Sequence, residues 1–508
     1  MKIEFENNEF WWGGIVHRGV EMPIHADQVT VIDFGDVNTP NQSTNLLLSN
    51  KGRYLYSKKP YTAAFNHGTI EIEGDITYRD GYVNLRGAYL AAMTEHFPFE
   101  NRLPDHHFFT MPQYNTWIEL MYEQNQADIL KYAKQVIENG FPAGILMIDE
   151  GWAEDYGRYE FRKDAFPDAK GMVEKLNQMG FKVMVWMTPY ISPDSAAFRE
   201  IEPLGYLIKD NTGEAAVRRW WNGYSAVLDL TNREASDWFY RKLGGIMSTY
   251  GIDGFKFDGG DPNMYRDTDR IAEPMSAWEQ VKKYGEFGMR FSFNEFRAGW
   301  ELGGKPLVMR LSDKNHSWDE NGLNMLLPNS MIQGLMGYAY HCPDMIGGGE
   351  YQNFRENSGK LDKELIIRYA QAAALCPMMQ FSVAPWRILD GDQLEIVRNA
   401  AKLHVRMGKF ILKLAEEAAK TGEPIMRSME YVYPNRGYEE IKDQFMLGDK
   451  ILVAPVCKKG ITKRKVCLPD GIWLLEDRTV FKGGRTIEME CPISKLIWLE
   501  RKEEECHV

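Results

Sequence analysis

The stretch Gly251-Ile-Asp-Gly-Phe-Lys-Phe-Asp258-Gly-Gly-Asp261 reads as a short apolar strand that ends on a carboxylate and two glycines. Phe255 and Phe257 alternate with Lys256 and Asp258, so a lysine and a carboxylate share one side of the strand at its carboxyl end. A carboxylate beside a cation can serve as a nucleophile, and Gly259 and Gly260 let the chain turn without crowding a ligand. Taken alone, such an Asp reads more readily as a cap of the following loop.

Other apolar runs end in the same way. Asp149, Glu150 and Trp152 follow one, and Trp186 and Pro189 end the next. Asn294, Glu295 and Arg297 close a third; Arg310 is followed by Ser312, Asp313, His316, Trp318 and Asp319; His341 and Asp344 follow another. The set holds several carboxylates, two arginines and a lysine with tryptophans around them. It lacks a His/Cys cluster, which points to acid/base and nucleophilic work by carboxylates rather than to a metal. Two carboxyl groups facing each other across a pocket are the equipment for cleaving a glycosidic bond: one protonates the leaving oxygen, the other attacks or activates water. Neighbouring Arg and Lys would depress one pKa and leave the other group protonated near neutrality. Met345-Ile-Gly-Gly-Gly-Glu lacks the spacing of a phosphate cradle and reads as a flexible loop, and His106-His107 lacks a second ligand motif. Trp220-Trp221 reads equally as a subsite wall or a barrel cover.

These residues need a scaffold that brings strand ends together. From about 108 onward apolar strands alternate with helical stretches, the pattern of a parallel sheet. Strands are expected near 108–112, 144–149, 182–187, 254–258, 289–294, 306–310 and 337–341, with an eighth near 225–229 or 380–384. Helices are expected at 123–139, 170–179, 234–250, 323–336, 363–376 and 392–420. Residues 1–105 show short alternating runs with no long helical period, and the chain returns to β character near 430. The expected fold is α/β: a (β/α)8 TIM barrel over 106–428, an N-terminal β-sandwich-like domain over 1–105 and a small C-terminal all-β domain over 429–508.

Sixty Lys and Arg stand against 72 Asp and Glu in 508 residues, a net charge of −12 that repels nucleic acid and anionic membranes. No apolar run is long enough to span a membrane and no basic-then-apolar leader opens the chain, so a cytoplasmic location is expected. The six cysteines are scattered, against both a disulfide framework and a zinc site. The partner implied is a small neutral molecule; self-association stays open.

At these residues the chain resembles glycoside hydrolase family 31. Lys256-Phe-Asp258-Gly-Gly-Asp261 is similar to the family's nucleophile strand, and Arg368-Tyr-Ala-Gln-Ala-Ala-Ala-Leu-Cys-Pro-Met-Met-Gln to its R-W-x-Q-x-G-x-x-x-P-x-x-R helix. Pro424-Ile-Met-Arg427, then Asp443-Gln-Phe-Met-Leu-Gly-Asp-Lys-Ile-Leu-Val-Ala-Pro-Val, resembles its barrel exit and first C-terminal strands. The resemblance implies Asp258 as nucleophile and Asp319, beside Trp318, as acid/base, with Glu320 and Asp313 as rivals because the loop is short. It implies Asp149, Arg310 and Asp344 as substrate-binding residues, to which the residues' own places add Trp186, Lys256 and Trp221; two carboxylates suffice for the reaction, so no metal or cofactor is expected. Pro343 stands where the family's sugar-binding His would be, and Phe-Lys-Phe-Asp replaces the strand of the common α-glucosidases. These departures resemble the α-galactosidase branch. The activity implied is a retaining exo-α-glycosidase on α-galactosides. The rivals are an α-glucosidase, an α-xylosidase, or an inactive carbohydrate-binding protein on the same fold.

Overall fold

The computed structural model describes residues 1–502. Its centre is a sheet of eight strands: β1 (Gln113–Asn115), β2 (Ile145–Ile148), β3 (Lys182–Met187), β4 (Gly254–Phe257), β5 (Phe293–Phe296), β6 (Met309–Arg310), β7 (His341–Cys342) and β8 (Gln380–Phe381). They run in the order β7-β6-β5-β4-β3-β2-β1-β8 with every ladder parallel. The loop after β7 meets β8 through Ile346 N donating to Gln380 O, which closes the barrel. Ile145-Leu-Met-Ile is apolar throughout because a barrel strand is buried on both faces. The register sets Trp186 opposite Lys256 and Lys256 opposite Glu295, so three polar or aromatic side chains share one level near the carboxyl end.

The crossover helices fall where the sequence places them, for reasons visible at their ends. Asn125 caps Gln126–Glu138 by accepting from Asp128 N, and Asn232 caps Arg233–Tyr250. The second of these stops at Gly251 in the left-handed conformation, three residues before β4 begins. The first strand lies later than 108–112: Phe108 and Phe109 belong to a short helix, His107–Thr110, packed under the long helix Gly391–Thr421. The eighth strand is 380–381. Residues 225–229 instead contribute to a hairpin, Arg218–Trp220 with Gly223–Val227.

The N-terminal region carries two antiparallel sheets. One holds Lys2–Glu4, Thr69–Glu73, Thr62–Asn66 and Val29–Asp33; the other is built on Phe10–Ile15, Gln42–Ser49 and Tyr54–Tyr56. It also holds a helix, Leu85–His96, capped by Asn84. The expectation of no long helix there fails because Leu-Arg-Gly-Ala-Tyr-Leu-Ala-Ala-Met has little contrast between faces and contains a glycine. Every residue of Gln42–Ser49 is buried, and Gln42 and Ser43 pair with Gly299 and Trp300 of the barrel. The C-terminal region is all-β, around Trp473, Val466 and Leu499. Arg368 reaches into it, donating to Cys491 O (2.7 Å) and Pro492 O (3.3 Å). Among the described residues no helix is long and apolar enough to cross a membrane.

Candidate active site

A cleft of about 730 Å³ opens at the carboxyl ends of the barrel strands. Asp258 lies in it one residue past β4. Trp186 Nε1 donates to its Oδ2 (3.1 Å), and Gly259 N (2.8 Å) and Arg297 Nε (3.0 Å) donate to Oδ1. Burial alone would raise the Asp258 pKa, but Arg297, Lys256 and Arg310 outweigh it and hold the carboxylate below its ordinary value. Gly259 and Gly260 both have φ of +67°, and a Cβ on Gly260 would lie 2.4 Å from the Tyr284 ring. The same ring's hydroxyl donates to Asp258 O (3.0 Å), so the tight turn and the position of the nucleophile candidate come from one contact.

Arg297 holds the turn from the other side. Its two terminal nitrogens donate to Asp261 Oδ1 and Oδ2 (both 2.8 Å), and Nη1 also donates to Pro40 O (2.7 Å). Val37 to Pro40 thus bring the N-terminal region into the cleft wall. The Trp221 ring, half-exposed at the mouth, lies 5.4 Å from the guanidinium.

Two adjacent carboxyl groups end β2. Asp149 takes the Lys256 ammonium on Oδ2 (2.7 Å) and Glu150 N on Oδ1 (2.8 Å), and the charge of Asp149 raises the Lys256 pKa against its burial. Glu150 accepts from Tyr156 Oη and from Asn222 Nδ2 (2.9 Å), both on Oε1. Burial pushes Glu150 up to about 7, with Asp149 and Asp258 adding to the rise and those two hydrogen bonds opposing it. One carboxyl is therefore ionised and another is half-protonated at neutral pH in the same cleft.

Behind the wall lies a buried network. Arg310 Nη1 donates to Asp313 Oδ1 and Asp344 Oδ1 (both 2.8 Å), and its Nε stands 3.4 Å from Glu295. Asp344 also takes Lys314 N (2.6 Å) and Gly349 N (2.9 Å). Arg310 and Asp344 are thus shut behind the cleft as braces, whereas the sequence reading expects them against substrate. Arg297 and the more exposed Arg219, not Arg310, are the arginines that line the cleft.

Asp319 does not reach the cleft. It is exposed, accepting from Ser317 Oγ and Asn321 N (both 2.8 Å) to close a turn, and Trp318 donates to Asp362 (3.0 Å) rather than shielding it. Glu320 is exposed as well. Asp313, three residues past Arg310, lines the cleft with its carboxyl partly open to it. The glycine-rich stretch is a packing device: a Cβ on Gly348 would lie 2.6 Å from Lys314 O. His341 is sealed in the barrel, its pKa lowered by burial to about 3, and among the described residues no histidine lines the cleft. Asp105, His106 and His107 cluster at the opposite end of the barrel, where Asp105 N donates to Ser292 O just before β5.

The TIM-barrel domain of glycosyl hydrolases family 31 matches residues 109–414, and that family's C-terminal domain matches 422–503. The mouse myogenesis-regulating glycosidase is 33% identical over 390 residues, covering 74% of this chain and 54% of its own. A sulfoquinovosidase of Escherichia coli (strain K12) is 27% identical over 381 residues, 68% of this chain and 55% of its own. The chain spans about half the length of the curated relatives it matches. A Flavobacterium johnsoniae dextranase complexed with glucose superposes with a TM-score of 0.84 at 20% identity, over 99% of this chain and 66% of that one. At that identity the superposition speaks for the fold alone. By the match to its barrel and C-terminal domains, with a relative one-third identical, the chain belongs to glycosyl hydrolase family 31.

Proposed function

We propose that the protein is a retaining exo-α-glycosidase acting on neutral terminal sugars, with α-galactosides as its first substrates. The observation that carries this reading is the Asp258 carboxylate, kept ionised at the end of β4 by Trp186, Arg297 and Gly259 in a cleft that also holds Asp313. Asp258 attacks the anomeric carbon, Asp313 protonates the departing oxygen and later takes a proton from water, and two inversions return the original configuration. The Lys256–Asp149 pair, Glu150 and Trp186 bind the terminal sugar, whose hydroxyls suit paired carboxyl acceptors. Trp221 at the mouth supplies an apolar face for the leaving group.

Charge supports a neutral sugar. Asp149, Glu150, Asp258, Asp261, Asp313 and Glu350 line the cleft against three cations: Lys256 and Arg297, already paired with carboxylates deep in it, and Arg219 at its exposed edge. An anionic sugar would meet an excess of carboxylates over cations. That no histidine among the described residues lines the cleft favours a galactoside over the gluco-configured substrates of the α-glucosidase reading. Aryl α-galactoside, α-glucoside, α-xyloside and α-sulfoquinovoside, compared by kcat/KM, test the reading, with NMR of the first-formed anomer. Greatest turnover on the galactoside with α-product formed first supports it; β-product first, or preference for the sulfonated sugar, contradicts it.

A further inference from the structure

Ser312 lies on the cleft wall next to Asp313, and Lys314 lies beneath both, only 2% exposed. The Lys314 ammonium donates to Ser312 O (2.8 Å) and to Ser312 Oγ (3.0 Å). An ammonium is a donor only, so Ser312 Oγ is committed as its acceptor. The hydroxyl has one proton of its own, and among the described residues no group is seen accepting it. We propose that Lys314 and Ser312 form a donor relay that turns the Ser312 hydroxyl proton into the cleft, where it binds an oxygen of the leaving sugar.

The loop is built to hold this geometry. Lys314 N donates to Asp344 Oδ2 (2.6 Å), Lys314 O accepts from Glu350 N (3.0 Å), and Ser312 N donates to Asn41 Oδ1 of the N-terminal region. Lys314 is thereby fixed at both ends of its backbone, and its side chain folds back over two residues. Burial lowers its pKa to about 8 against the pull of Asp344 and Asp313, so it is still mainly the ammonium at neutral pH. A donor polarised by a buried cation binds a neutral oxygen more strongly than an unassisted hydroxyl does. The leaving sugar is the partner because Ser312 adjoins Asp313, whose carboxyl must reach the glycosidic oxygen. The terminal sugar's contacts come from β2, β3 and β4 instead.

This inference rests on the glycosidase reading with Asp313 as proton donor. The test compares wild type, Ser312→Ala, Ser312→Thr and Lys314→Met on an α-linked disaccharide and on an aryl α-glycoside of the same terminal sugar. Ser312→Ala is expected to lower kcat/KM on the disaccharide about tenfold or more, the usual effect of losing a charge-assisted hydrogen bond, and to change the aryl glycoside by less than about threefold. Ser312→Thr retains activity on both. Lys314→Met reproduces the disaccharide loss, and the double variant is no worse than either single one, because the two side chains act as one unit. Equal losses on both substrates, no loss in Ser312→Ala, or additive losses would overturn the relay. Should Lys314→Met fail to fold, the Ser312 pair decides alone. A wild type that cleaves neither substrate would sink the glycosidase reading itself, an outcome separate from failure of the relay.

Discussion

At the scale of single residues, the division of labour follows from which charges each carboxyl meets. Asp258 faces three cations and Glu150 faces two carboxylates from inside an apolar wall, so their pKa values move apart. Glu150 is surrounded by Tyr122, Tyr156, Asp149 and Asp258, with Lys256 engaged by Asp149. As pH rises through about 7, Glu150 gains a charge that these carboxylates disfavour and loses the proton it could donate to a sugar oxygen. The expected kcat/KM profile declines above about pH 7, and Glu150→Gln, neutral at every pH, lacks that decline. A decline surviving in the variant would assign the limb to another group. Asp313→Ala is expected to lower turnover of a disaccharide by roughly 10²–10⁴-fold. Azide should then accelerate breakdown of an activated aryl glycoside with retained configuration, and Asp319→Ala should leave both substrates within about threefold. Asp258, Asp149, Lys256 and Trp186 were legible in the sequence because each closes an apolar strand. Which carboxylate of the loop after β6 meets the cleft was not, since three share one short loop and only packing shows Asp313 in the cleft wall and Asp319 closing a turn on the surface.

At the scale of elements, strand ends supply the fixed groups, and loops resting on them supply the rest. The segment after β6 carries Ser312, Asp313 and Lys314 over the glycines that follow β7, and Gly348 has φ of +98° with no room for a side chain. Gly348→Ala should therefore displace Lys314 O and with it Asp313. Turnover of a disaccharide should fall by at least about tenfold while an activated substrate still glycosylates Asp258, read by mass spectrometry of the trapped enzyme; equal loss of both would point to general unfolding. Helix limits were legible to within a few residues, and the structure shows what sets them: Asn caps at 125 and 232 and the left-handed glycine at 251. Strand β8 and the hairpin at 218–227 were not, because short apolar runs of equal length do not reveal whether their partner is parallel or antiparallel.

At the scale of the whole molecule, the N-terminal region completes the barrel's active face. Gln42 Nε2 donates to Arg297 O (2.5 Å) and Arg310 O (3.0 Å), and Pro40 O takes Arg297 itself. Sequence patterning could not show this, since the contacts join residues more than 250 positions apart. Glu301 seals the same junction, accepting from Asn45 N (2.7 Å) and Tyr56 Oη (2.9 Å), and burial raises its pKa to about 7 from an ordinary 4.5. The folded state thus holds this proton more tightly than the unfolded chain does. The stability it contributes is full below about pH 4.5 and is lost as pH rises to about 7, on the order of 3 kcal/mol at ~1.4 kcal/mol per unit. Glu301→Gln should flatten the fall of Tm between pH 5 and 8; an unchanged slope would place the titration elsewhere.

The central claim is that Asp258 forms a covalent bond to the sugar. The most direct measurement is incubation with a 5-fluoro-α-galactosyl fluoride, followed by intact-mass and peptide mass spectrometry. The account predicts one sugar added per chain, carried on the peptide containing Asp258, with activity lost in step, and no adduct in Asp258→Ala. An adduct on another carboxylate, or turnover of aryl α-galactosides with no adduct and with inverted product, would contradict it.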